Sequence, residues 1–173
     1  MSAARPVARL AIETGAPFED FQARFDEAVP VYPAREFAAL VARGADWETV
    51  LARTAAVAPH GFLVYWSLDV GALMSLAGHR SRCVEYLVGN HTIAERMYRH
   101  DPAVMVYAPL RLTIHGPPDG DATLTIERPS DLFRSFGVPA IAVVGTELDG
   151  RLAMLLSQLG TPVPRELAEP PGA

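Results

Sequence analysis

The sequence predicts an α+β fold: a sheet built around an antiparallel hairpin, with helices packed on its apolar face. Three observations carry this. Residues 83–126 run strand, tight turn, helix, strand, hairpin, strand, with ionisable groups at the joints. The two arms of that hairpin alternate between apolar and polar residues, as half-buried strands do. Upstream, Phe18, Phe21, Phe25 and Val29 recur at spacings of three and four, the mark of a helix with one apolar stripe. Half of the 173 residues are apolar, enough for a sizeable core, and the length fits one domain. Residues 1–160 are assigned to it and residues 161–173, which carry four prolines, to a draped or disordered tail.

The elements follow in order. Val7 to Glu13 is a first strand, and the helix of phenylalanines spans Pro17 to Val29, ended by Pro30 and Pro33. A second helix runs from Ala34 to Arg43 and stops at Gly44. A third is capped by Asp46 and extends to Val57, with Trp47, Val50, Leu51 and Thr54 as its expected buried stripe. Pro59-His60-Gly61 turns the chain into a strand from Phe62 to Leu68, rich in aromatic and β-branched residues. Val70 to Ala77 is a short helix closed by Gly78. Cys83 to Val88 is the next strand, Gly89-Asn90 its turn, and Thr92 the expected N-cap of a helix to Arg99, with Glu95 at the capping-box position. Met105 to His115 and Ala122 to Glu127 are strands. Ser130 and Asp131 read as an N-cap pair opening a short helix to Phe136. Ala140 to Val144 reads as a last short strand, and Asp149 to Leu159 as the final helix.

The loop Gly116–Asp121 fixes the hairpin register. Centred near Asp119, it sets Arg111 opposite Glu127, Thr113 opposite Thr125 and His115 opposite Thr123. Leu110, Leu112, Ile114, Leu124 and Ile126 then share the core side, and a one-residue slip would mix the two faces. The polar side is either the lining of a ligand groove or a solvated face with a weak cross-strand ion pair.

Composition excludes several chemistries. All 15 basic residues are arginine, so neither a Schiff-base lysine nor a P-loop lysine exists. This bias suits a GC-rich, bacterial genome. Cys83, which begins a strand and reads as a small buried hydrophobe, is the single cysteine, which rules out an intrachain disulfide and a cysteine zinc cluster. Neither Gly-x-Ser-x-Gly nor Gly-x-Gly-x-x-Gly occurs. A net charge of −5 argues against a nucleic-acid partner. No apolar run is long enough to span a membrane and no signal peptide opens the chain, so a cytoplasmic location is expected.

Tyr86-Leu87-Val88-Gly89-Asn90, a helix, Ala108-Pro109-Leu110-Arg111-Leu112, the Gly120 turn, a strand and Pro129-Ser130 together resemble the family called domain of unknown function 302. The order and spacing agree over residues 62–159, and the helix Pro17–Val29 is similar to the family's first helix. The resemblance implies a TATA-binding-protein-like fold, a curved antiparallel sheet with two main helices packed on one side, a homodimeric assembly, and for some members an association with haem. Two departures stand out. His91 takes the place of the proline that commonly follows Gly-Asn, and residues 32–58 form a longer helical segment, read as an insertion.

His91 is the sharpest candidate, set at a strand-to-helix turn beside Asn90. It is read as a haem axial ligand or a general base, or as part of the turn and helix cap. Arg80, in His79-Arg80-Ser81-Arg82, offers a fork for a carboxylate, or is an exposed basic turn. Asn90, Arg111 and His115 are further candidate ligand-binding residues, and Glu127 is a candidate catalytic partner of His91. Tyr107, with Tyr65, Trp66, Tyr86 and Tyr98, is a core or rim aromatic or one able to wall a flat ligand. Three functions remain open: a domain binding a flat, acid-bearing small molecule such as haem; an enzyme using histidine on a small carboxylate metabolite; and a dimeric structural or partner-binding protein.

Overall fold

Five strands, β1 (Arg9–Pro17), β2 (Leu63–Asp69), β3 (Arg82–Gly89), β4 (Leu110–Gly116) and β5 (Asp121–Glu127), form one antiparallel sheet in the order β1-β5-β4-β3-β2. They belong to a computed structural model that describes residues 6–168. The sheet is open, with β1 and β2 as its edges. The helices are α1 (Phe18–Ala28), α2 (Ala34–Ala42), α3 (Trp47–Val57), α4 (Val70–Ser75), α5 (His91–Tyr98), α6 (Pro129–Arg134), α7 (Pro139–Gln158) and α8 (Arg165–Ala168).

The hairpin register is the expected one: Thr113 faces Thr125 and His115 faces Thr123. Leu110, Leu112, Ile114, Leu124 and Ile126 are all buried. The same period continues outward through Val84, Tyr86 and Val88 on β3 and through Leu10 and Ile12 on β1. Against this side lie Phe21 and Phe25 of α1 and Leu148, Leu152, Leu155 and Leu156 of α7, in one continuous core. Each fully buried phenylalanine contributes about 1.5–3 kcal/mol through removal of apolar surface from water. Tyr86 fixes α1 over β3: its ring meets Phe25 at 4.9 Å, and its hydroxyl donates to Asp26 and accepts from Gln22.

Several local expectations are corrected. Ala140–Val144 is not a strand but the start of α7, with Pro139 in the first helical turn. Ile141, Val144, Leu148 and Leu152 recur every three or four residues, so one apolar stripe continues through what looked like a β-branched run. Met105–Tyr107 is not strand either. Asp101 accepts from the Ala103 N–H and starts a 3₁₀ turn at Pro102–Val106. The N-cap of α5 is Asn90, not Thr92, and Glu95 pairs with Arg99 one turn on. Ser130 and Asp131 do not cap α6, whose N-cap is Arg128. Asp131 instead accepts from the Ala8 N–H and ties the residue before β1 to α6. On α3 only Thr54 is buried, while Trp47 and Leu51 are 43% and 42% exposed, because this helix sits at the rim of the core. Cys83 is half-buried, since its register partner is His115 on the uncovered side of the sheet. Of the expected tail, Arg165–Ala168 form a helical turn with Leu167 buried, and residues 169–173 lie outside the described residues.

One irregularity positions the site. Val64 pairs with Val88, but the next pairing is Trp66 with Leu87, so Tyr65 is an extra residue in β2. A bulge of this kind re-aims a side chain at a sheet edge. The chain after α1 then lies along the same edge. The Val64 N–H donates to Pro30 and the Tyr32 N–H to Val64, at 2.9 and 2.8 Å. The prolines that end α1 thus deliver Tyr32 beside Tyr65.

Candidate functional site

The first turn of α5 carries His91 into a cluster drawn from four elements. Asn90 holds that turn, accepting from the Thr92 N–H at 2.9 Å and donating to the Gly61 carbonyl at 3.1 Å. Tyr32 stacks on Tyr65 at 4.7 Å and on Phe37 at 5.1 Å. The imidazole stands edge-on to Phe37 at 4.7 Å. An Arg53–Glu36 hydrogen bond of 2.8 Å joins α3 to α2, and both helices cover the histidine.

Hydrogen accounting assigns the tautomer. Thr54 gives its hydroxyl proton to the Val50 carbonyl one turn back, at 2.8 Å. Its oxygen therefore accepts from His91 Nε2–H across 2.7 Å. Tyr65 Oη accepts the His91 backbone N–H at 3.0 Å and lies 2.7 Å from Nδ1. Nδ1 is then the lone-pair nitrogen and Tyr65 donates to it. The imidazole is neutral and uses both nitrogens.

The electrostatics agree. Burial lowers the His91 pKa and pushes the Tyr65 phenol up to about 12. The proton between them stays on Tyr65. Burial therefore favours the neutral form of both rings.

This has a consequence for stability. Unfolded, His91 takes a proton near its ordinary 6.5; folded, it resists protonation to lower pH. Below 6.5 the unfolded chain binds more protons, so this contribution is complete above 6.5 and is lost as pH falls towards the folded pKa. Urea midpoints measured between pH 7.5 and 5 are expected to fall more steeply for the native protein than for His91→Gln. Parallel curves would show that His91 does not supply the difference.

Tyr65, His91 and the start of α5 border an apolar cleft of about 120 Å³. Met97, Met105, Pro109, Leu110 and Phe133 form most of its remaining wall. Among the described residues, no charged side chain lines it.

Of the sequence-predicted site residues, the structure brings together Asn90 and His91. It separates the others from them. Arg111 lies on the uncovered side of the sheet, opposite in sense to its cleft-lining neighbour Leu110, and pairs with Glu85 at 3.2 Å. Glu127 is opposite Arg9 rather than bonded to Arg111. The expected Arg111–Glu127 pair is displaced because a long arginine reaches the diagonal carboxylate on β3 as readily as its direct neighbour. His115 meets Thr125 at 2.9 Å on that same side. Arg80 is exposed in the loop after α4. Tyr107 packs edge-on to Phe133 and Phe136, outside the cleft wall. A joint His91–Glu127–Arg111 centre is therefore corrected: the sheet lies between its members. The sequence did not mark Thr54 or Tyr32 as site residues, and it offered Tyr65 as a core or rim aromatic or as one wall of a flat-ligand pocket, not as a partner of His91. The one legible signal was the failure of clean alternation in Phe-Leu-Val-Tyr-Trp.

The donor set does not fit a haem at His91. Axial ligation needs a free imidazole lone pair, and here Tyr65 takes Nδ1 while Nε2 carries the proton given to Thr54. The cleft has no arginine for the propionates. Among the described residues there is also no group of three His, Cys, Asp or Glu side chains placed to hold a metal ion.

Fold and site define an open-sheet α+β protein with an aromatic-histidine cluster at the head of a small apolar cleft. The chain belongs to the family described as domain of unknown function DUF302, whose match covers residues 42–159. It is similar in fold to an uncharacterized conserved DUF302 protein from Bacillus stearothermophilus, with 17% identity and a TM-score of 0.61. The likeness covers 87% of this chain and 97% of that one. No curated protein matches the chain. Among the described residues no helix is long and apolar enough to cross a membrane.

Proposed function

We propose that this protein is a small-ligand-binding domain whose ligand seats a compact, uncharged apolar group in the cleft beside Tyr65 and His91. The observation that carries this reading is the pairing of an apolar cavity with a fully hydrogen-bonded, neutral polar head. A volume of about 120 Å³ is close to that of a dry engineered cavity of about 150 Å³ that takes benzene. The acid-bearing, haem-sized ligand expected from sequence finds neither room nor counter-charge there. Two methionines in the wall, Met97 and Met105, supply polarisable contact to an aromatic group.

Benzene is a direct probe. It is expected to shift the backbone amide NMR signals of Ile93, Ala94 and Leu110 and to raise the melting temperature. Ala94 is half-buried in the cleft wall, so Ala94→Phe places a ring in the same space and is expected to abolish both effects. Equal responses from the native protein and Ala94→Phe would remove the cleft as the site. Absorption spectra and native mass spectra of protein purified without additives report any ligand it retains.

A further inference from the structure

On the other side of the first turn of α5 lies a second and larger opening, of about 550 Å³. α3, the turn Pro59–Gly61, α5 and the C-terminal half of α7 surround it. Asn90 and Ile93 line both openings, so the wall between them is a single helical turn. Leu51, Ala55, Ala58, Ile93, Met154 and Leu155 give this groove an apolar bed. Its size falls within the roughly 300–1,000 Å³ usual for small-molecule sites.

Its charge is unlike that of the rest of the chain. The protein carries a net −5, yet among the described residues no Asp or Glu lines this groove, while Arg151 does. Arg151 is only partly neutralised. Glu147 is shared by two guanidinium groups, accepting from Arg96 Nη1 at 2.8 Å and from Arg151 Nε and Nη2 at 3.0 and 2.8 Å. The triad therefore keeps one positive charge in excess. Both Arg151 bonds fall on a single oxygen, Glu147 Oε1, and among the described residues Nη1 carries no hydrogen bond. That nitrogen lies at Gly61, 3.2 Å from where a Cβ would stand. Gly61 has φ +79°, a conformation that side-chain-bearing residues rarely adopt. The glycine both makes the turn and leaves room for the guanidinium beside it. Thr92 and Gln158 add neutral hydrogen-bonding groups to the same wall.

From the groove's shape, its missing carboxylates and the unspent edge of Arg151, we infer that it binds a small molecule carrying a carboxylate on an apolar body. The guanidinium edge matches a carboxylate in charge and geometry, and the apolar bed takes the remainder. This site is separate from the cleft at Tyr65 and does not depend on the function proposed for it.

Calorimetric titration with octanoate and with 1-octanol tests the assignment. The two share a chain length and differ in the charged head. Octanoate is expected to bind at least tenfold more tightly than octanol. Arg151→Gln is expected to lower octanoate affinity about tenfold or more. Ala55→Glu, on the exposed part of the groove and touching no ion pair, is expected to do the same by repulsion while leaving the melting temperature unchanged. Ala94→Phe, which fills the other cleft, is expected to leave octanoate binding as it was, so the two sites are separated by one variant. Equal affinity for octanol and octanoate would overturn the inference. So would no saturable octanoate binding, or native-like octanoate affinity in both Arg151→Gln and Ala55→Glu.

Discussion

Asp149→Ala is expected to lower the unfolding free energy by about 3–5 kcal/mol, the usual effect of removing one member of a buried ion pair. Asp149 sits in the middle of α7 and is 2% exposed. Its Oδ2 accepts from Arg128 Nε at 3.0 Å and its Oδ1 from the Ser130 N–H at 2.9 Å. Alanine would take this acceptor from a guanidinium that is itself largely buried and from a backbone N–H at the start of α6. The same change would loosen the junction where β5 passes into α6, because the Arg128 N–H also holds the Ala8 carbonyl of the first strand segment. Urea unfolding followed by circular dichroism measures the loss. The double change Arg128→Met with Asp149→Leu is expected to recover only the part of the loss due to the unpaired guanidinium, since an apolar pair needs no compensating charge while the buried Ser130 N–H still lacks its acceptor. A loss below about 1 kcal/mol for Asp149→Ala would show that water or rearrangement satisfies the arginine, and that the pair does not hold α6 to α7.

Phe133→Ala is expected to have an effect of the same size, about 3–5 kcal/mol, for a different reason. Its ring is fully buried, meets Tyr107 edge-on at 6.3 Å and forms part of the cleft wall. α7 passes so close to it that a Cβ on Gly145 would stand 3.0 Å from the Phe133 Cβ. The surrounding helices therefore have little freedom to collapse into the space, and the cost comes from lost transfer energy plus an unfilled cavity. The variant also carries a functional signature. It enlarges the cleft, so benzene or a larger aromatic is expected to restore part of the stability in proportion to its concentration, as any ligand binding only the folded state does. A destabilised variant that gains nothing from such ligands would mean that the ring's space is not continuous with the cleft.

Much of the sheet was legible from periodicity. Leu110, Leu112, Ile114, Leu124 and Ile126 declared a buried side, and the Gly-Pro-Pro-Asp-Gly-Asp turn allowed one register that kept it intact; the structure has that register. The phenylalanine stripe of α1 was equally plain. Failures came where one local signal had two physical solutions. Ala140–Val144 is apolar and β-branched, which suits a buried strand, but its residues also continue the stripe of α7. Thr92 and Asn90 are both good N-caps, and the bond from Asn90 to Gly61, across 29 residues, accompanies the choice of Asn90. His91 was legible as a candidate because a histidine at a strand-to-helix turn is conspicuous. Its partners were not, because Thr54 comes from a helix with little other burial and Tyr65 from a strand whose inward and outward senses could not be assigned.

Alone, the sequence determined which residues of the hairpin and of α1 must leave water, and hence the α+β arrangement and the register of the hairpin, because two-residue and 3.6-residue periods are local properties of the backbone. The tertiary structure decided the site. Whether Tyr65 points to the core, to solvent or to His91 depends on one extra residue in β2, and that bulge exists only relative to the pairing of β2 with β3. The protonation of His91 depends in turn on where Thr54 sends its own proton. Both are fixed by contacts between segments far apart in the chain, and such contacts leave no period for a sequence to display.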